Sequence, residues 1–263
     1  MSKFLLLFGL IPLVALAGED AVGWKLVWSD DFESGEAPNP SKWSYEVGRV
    51  RNDEKQFYTR DRRENARVEG GRLILEARRE KHQGAEFTSA SLITRGHAQW
   101  QYGRIEVKAK LPSARGTWPA IWMLPSDFGQ VPWPKCGEID IMEHVGYDPG
   151  IIHGTLHSEV FNHLKGTQRS STQRLATFSS NFHCYAIEWS KDRIVSQIDG
   201  KTYATFIRKP TDGPAEWPFD KPFYLILNLA VGGSWGGQKG IDESAFPQRL
   251  EIEEVKVFQA KPN

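Results

Sequence analysis

Only two of the 263 residues are cysteine, Cys136 and Cys184. One pair this far apart in sequence does not make a disulfide-stapled scaffold, so an apolar core must hold the chain. Both are expected as free, partly buried thiols. No group of Cys and His has the spacing of a zinc site. His153 and His157 can share a strand face, where a structural or substrate-contacting role is expected in place of a metal site. Net charge is also missing, with 33 basic residues against 33 acidic ones. Nothing in that balance supports a nucleic-acid or anionic-membrane partner, and neither is expected. Past the N-terminus no apolar run is long enough to span a bilayer. No long amphipathic helix, internal repeat, low-complexity tract or linker interrupts the chain.

The first residues have the form of an export signal. Lys3 supplies a positive start, Phe4 to Val14 is an apolar run, and Ala15-Leu16-Ala17 is a small-x-small cleavage site. Residues 1–17 are therefore expected to be a signal peptide, and 18–263 a single domain that is secreted, outside any membrane and monomeric.

The rest of the chain is rich in short runs of period two. Gly103 to Leu111 alternates polar and apolar residues and stops at Pro112. Leu73 to Ala77, Tyr185 to Trp189, Ile194 to Ile198 and Leu250 to Phe258 behave alike, and Phe223 to Val231 is almost continuously apolar. Asp199-Gly200 marks a turn. Such runs between Gly, Pro, Asn and Asp predict an all-β sandwich or barrel, with the first and last strands closing the same sheets and one face bent into a groove. Ten tryptophans exceed what a sandwich core needs, so several are expected in a binding cleft, where indole faces suit sugar rings.

Glu138-Ile139-Asp140-Ile141-Met142-Glu143 carries the chemistry. Side chains alternate along a strand, so Glu138 and Asp140 share a face. Glu143 lies five positions beyond Glu138 and would fall on the opposite, buried face, where an unpaired carboxylate is costly. A one-residue β-bulge near Ile141-Met142 restores the parity. The two glutamates are then roughly 13 Å apart at Cα, at about 3.3 Å per residue, and their stems can lean together. Two carboxyls at fixed separation are what glycosidic-bond cleavage requires, and crowding should leave one protonated near neutral pH, as a general acid needs.

Glu138 to Glu143 resembles the E-[ILV]-D-x-x-E signature of glycoside hydrolase family 16 in its bulged, laminarinase-like form. Trp28-Ser29-Asp30-Asp31-Phe32, Asn52 to Thr59, Gly103 to Pro112, Gly116 to Leu124, Leu227 to Gly233 and Phe246-Pro247-Gln248 are similar to further segments of that family, in order. The resemblance implies a jelly-roll β-sandwich of two antiparallel sheets with a concave glycan-binding cleft. It implies endo-hydrolysis of β-1,3-glucan, with mixed-linkage β-1,3-1,4-glucan as a further substrate. Glu138 would be the nucleophile, Glu143 the general acid/base, and Asp140 the residue that orients and tunes the nucleophile. Trp118, Trp122 and Trp235 would be sugar platforms, and Asn52, Arg95 and His157 polar cleft residues. No cofactor is needed for the chemistry, but the resemblance implies a candidate structural calcium at Glu253, Glu33 and Gly71. Glu253-Glu254 stands where many members carry Asp-Tyr, which changes the calcium geometry. His144 follows Glu143 where an aromatic or small residue is more usual, and on a strand it should face away. Alternatives with the same fold are hydrolases or transglycosylases of agarose or carrageenan, and a non-catalytic β-glucan-recognition protein. Neutral charge gives no support to sulfated substrates, and recognition modules commonly lose the carboxylates present here.

Overall fold

The computed structural model describes residues 23–261, so the expected signal peptide over 1–17 lies outside the described residues. Alternation has the structural consequence it predicts. Along Gly103–Lys110 every second residue is buried, and Ile105, Val107 and Ala109 point into the core. This strand pairs with His183–Trp189 on one side and Gln248–Ala260 on the other. Gln248–Ala260 also pairs with Trp24–Asp30, with Trp24 opposite Ala260, so the first and last strands do close one sheet. Asp199 and Gly200 have φ of 50° and 73° and join Arg193–Ile198 to Lys201–Ile207. Positive φ at both central residues matches the right-handed twist of a hairpin.

That sheet has ten strands and faces a second sheet of seven. The seven run in the spatial order Arg169–Arg174, Ile151–His157, Glu138–Glu143, Thr117–Pro125, Phe223–Val231, Ser91–Ile93 and Ser44–Tyr45. One large apolar core lies between the sheets, where each fully buried Leu, Ile or Phe contributes roughly 1.5–3 kcal/mol. Phe223–Val231 explains its continuous apolar run by being buried on both faces. Phe223, Leu225, Leu227, Leu229 and Val231 enter the inter-sheet core, while Tyr224 and Ile226 join Ala120, Trp122 and Leu124 on the other side. That second cluster floors a cleft on the open face of the seven-stranded sheet.

The architecture is the expected jelly-roll sandwich, with one departure in pairing. Gln56–Tyr58 runs parallel to Ala85–Ser89. Parallel neighbours need a long crossover, and the intervening chain supplies one through Ala66–Val68 and Leu73–His82. Among the described residues, no helix is long and apolar enough to cross a membrane. Cys136 is buried, Cys184 is half-buried, and both are free. Burial pushes both thiols up to about 12, so neither forms a thiolate readily.

Candidate active site

The acidic strand contains the bulge that parity requires. Its pairing register against both neighbours shifts after Asp140. Ile139, Ile141 and Met142 all enter the inter-sheet core, so two consecutive side chains point the same way. The extra residue turns Glu143 onto the face that carries Glu138 and Asp140, and all three line the cleft. The cleft encloses about 830 Å³. Its cross-strand neighbours follow from register. Glu138 faces His157, Asp140 lies between Thr155 and Trp122, and Glu143 lies between His153 and Ala120.

Burial and mutual repulsion raise all three carboxyls. Burial pushes Glu138 up to about 8, with the Asp140 charge adding to it, while His157 and Arg51 pull it down. Glu143 is raised to about 7 by burial and then by the Glu138 charge, against His157 and a hydrogen bond from Trp118. Asp140, 2% exposed, is raised well above its ordinary value by burial and by Glu143. The three titrate as a unit, because each proton bound relieves repulsion on the others. His144 faces the other side, as expected. It is wholly buried against Phe178, its Nε2 accepts the Gly150 N–H at 3.2 Å, and burial lowers it to about 4.

Four tryptophans line the cleft: Trp118, Trp122, Trp133 and Trp235. Trp118 donates Nε1–H to Glu143 Oε1 at 3.0 Å and meets Trp235 edge-on at 5.5 Å. Trp235 also packs edge-on against His153 at 4.9 Å. Trp122 lines the floor, but the Arg51 guanidinium lies 4.9 Å over its ring. Trp122 is 7% exposed, so the part of it that lines the cleft is small. Its Nε1–H donates to Asn228 Oδ1 at 2.7 Å, and the Asn228 amide donates to Tyr58 Oη at 3.0 Å. Tyr58 donates to Glu54, which also accepts from Gln56 and Asn52. This chain of bonds fixes the floor from beneath.

Asn52 sits at the exposed rim with φ of 58°, and its carbonyl accepts the Ser234 N–H at 2.8 Å, tying the Trp235 loop to the rim. His157 lies on the floor beside Glu138 and Asp140. Arg95 does not line the cleft. It donates to the Phe128 carbonyl at 2.8 Å and lies 5.6 Å over Tyr224, so it supports Phe128, which does line the cleft. His153, which shares a strand with His157 as expected, also lines the cleft, and so do Arg51, Trp133 and Asn228, which the sequence did not single out.

The calcium expectation does not fit these residues. Glu253 is bound by Lys108 Nζ at 2.8 Å and approached by Arg72 Nε at 3.7 Å. A calcium ion there would compete with two cations for one carboxylate, whereas calcium sites gather oxygen donors. Glu33 is exposed, its N–H is taken by Asp31 Oδ1 at 3.2 Å, and Gly71 sits in an exposed turn with φ of 70°.

Fold and site together define a β-sandwich glycoside hydrolase: paired carboxyls with raised affinity for protons, in a tryptophan-lined cleft. The profile of the glycosyl hydrolases family 16 matches residues 53–250, and the chain belongs to that family. The beta-glucanase of Rhodothermus marinus is 52% identical over 98% of this chain and 94% of its own length. The laminarinase structure from Rhodothermus marinus superimposes with a TM-score of 0.88 at 52% identity, covering 91% of this chain and 98% of that one. The endo-β-1,3-glucanase of Pyrococcus furiosus gives 0.82 at 36% identity, covering 91% and 96%.

Proposed function

We propose that this chain is a secreted, retaining endo-β-1,3-glucanase acting on laminarin-type glucans, with mixed-linkage β-1,3-1,4-glucan as a second substrate. One observation carries the mechanism. The bulge after Asp140 turns Glu143 onto the face that bears Glu138, so two half-buried carboxyls open into one cleft. The endo mode is supported by a cleft lined by aromatic rings along its length in place of a closed pocket.

The roles follow the order of the carboxylates in the family's motif. Glu138 attacks in its ionised form, which Arg51 and His157 favour against the burial that raises it to about 8. Glu143, raised to about 7, holds a proton near neutrality and can deliver it to the leaving glycosidic oxygen. Glu138 attacks the anomeric carbon as that bond breaks, and the sugar becomes covalently attached through an oxocarbenium-like transition state. Glu143, now ionised, takes a proton from water, which displaces Glu138 and restores the starting configuration. Asp140, raised well above its ordinary value by burial, shares a side-chain hydrogen bond with Glu138 that orients the attacking carboxyl. Trp118 and Trp235 wall the cleft beside Glu143, where sugar rings would pack.

The test is incubation with laminarin, lichenan, agarose and carrageenan, with product sizing and time-resolved NMR of the first anomer formed. Short laminarin oligomers released with β-configuration are expected. Cleavage of agarose or carrageenan alone, or an initial α-anomer, would overturn the proposal.

A further inference from the structure

The bulged strand and its neighbour assemble a donor set that sequence spacing concealed. Glu138 and Asp140 leave one strand, and His157 leaves the next, directly opposite Glu138. One donor atom from each lies within 4.8 Å of the other two. His157 Nε2 is 3.4 Å from Asp140 Oδ2 and 3.7 Å from Glu138 Oε1. Both distances exceed a good N–H···O hydrogen bond. Donors held at about 2.0–2.2 Å from one tetrahedral zinc ion lie roughly 3.3–3.6 Å apart, which is close to both values.

A second observation points the same way. Asp140 Oδ2 is buried with no hydrogen-bond partner, on a residue only 2% exposed. An unpaired buried carboxylate oxygen is costly, and a cation beside it removes that cost. One imidazole nitrogen with two carboxylate oxygens suits zinc better than calcium, which gathers six to eight oxygens.

We propose that Glu138, Asp140 and His157 form a zinc-binding site on the cleft floor, with a fourth position open to the cleft. The site is exchangeable and not that of a resident cofactor. His157 Nδ1 has no partner to orient the ring, a support that tightly bound zinc sites have. Arg51 also places a positive charge close enough to act on Glu138. Resting on the proposed catalytic role of Glu138, zinc bound here blocks hydrolysis by occupying the nucleophile.

The test is zinc titration of the metal-free full chain by calorimetry and equilibrium dialysis at neutral pH. One zinc per chain is expected. His157→Ala should weaken binding by about tenfold or more, since it removes one of three ligands. Glu138→Gln serves as a second, isosteric variant and should weaken it too, with melting curves confirming that both fold. His153→Ala and His163→Ala should keep the wild-type affinity. Absence of binding at about 1 mM zinc, or binding that survives both His157→Ala and Glu138→Gln, overturns the site. In the activity arm, zinc should compete with laminarin and a chelator should restore the rate. Stoichiometric binding at this trio without inhibition would leave the site standing and contradict Glu138 as nucleophile. Absent binding with intact hydrolysis would do the reverse.

Discussion

Trp118 donates its indole Nε1–H to Glu143 Oε1 at 3.0 Å, so an aromatic wall of the cleft also holds the proposed acid/base. A donor to a carboxylate favours the ionised form and works against burial, which raises Glu143 to about 7. In Trp118→Phe the wall remains and the donor is lost. Glu143 should then bind its proton more tightly, and the alkaline limb of kcat/KM should move to higher pH. A pH–rate profile on laminarin checks this, and a limb that stays in place or moves down contradicts it.

Asp140 acts on Glu138 in the opposite sense. Its charge is the second cause, after burial, of the raised Glu138 value. Asp140→Asn keeps a hydrogen-bonding group and removes that charge. Glu138 should ionise more easily, shifting the acidic limb of the profile to lower pH. Losing the orienting contact should also cost about tenfold or more in kcat. An unchanged acidic limb would show that Asp140 is not coupled to the nucleophile.

The same electrostatics predict a trade between stability and function. Glu138 has an ordinary value of 4.5 and a folded value of about 8, so the folded chain binds its proton more tightly than the unfolded chain. That contribution is fully present below about 4.5 and is lost as pH rises through about 8. Glu138→Gln carries no charge to bury. It should match the wild type in Tm at acid pH and exceed it increasingly toward pH 8, by roughly 2–4 °C per kcal/mol relieved. It should also be inactive while still binding glucan. Equal melting curves at all pH values would contradict the burial argument.

Gly236 tests the loop that carries Trp235. A Cβ there would lie 2.7 Å from the Gly232 carbonyl oxygen and 2.9 Å from Trp118 Cβ. The first is backbone and cannot yield cheaply, so Gly236→Ala should displace the loop and with it the Trp118–Trp235 contact. KM for laminarin should rise several-fold, with a smaller change in Tm than a core substitution, which costs about 2–5 kcal/mol. Unchanged KM would show that Trp235 does not contribute to binding.

Much of the site was legible because strand parity is a strong constraint. With Ile139, Ile141 and Met142 all apolar, Glu143 could join Glu138 only through a bulge, and the register shift lies there. Cross-strand partners were not legible. Asn228 reaches the cleft only through pairing register, and Arg51 through a loop that lays it over Trp122. The poor fit of Glu253 to a calcium ion has a similar reason. An unforeseen bulge between Ile252 and Glu254 reorders the last strand, and Glu253 meets Lys108. The ligand trio of Glu138, Asp140 and His157 went unseen because His157 joins the two carboxylates only by adjacency across two strands.

The central claim is that Glu138 forms the covalent intermediate while Glu143 moves the proton. Trapping with a 2-deoxy-2-fluoro-β-laminaribiosyl donor, followed by proteolysis and mass spectrometry of the labelled peptide, tests it most directly. The fluorine slows release of the intermediate, so the attacking residue stays labelled. The label is expected on Glu138, and faster release is expected when a glucan acceptor is added. A label on Asp140 or Glu143, or no covalent adduct together with an inverted product, would contradict the account.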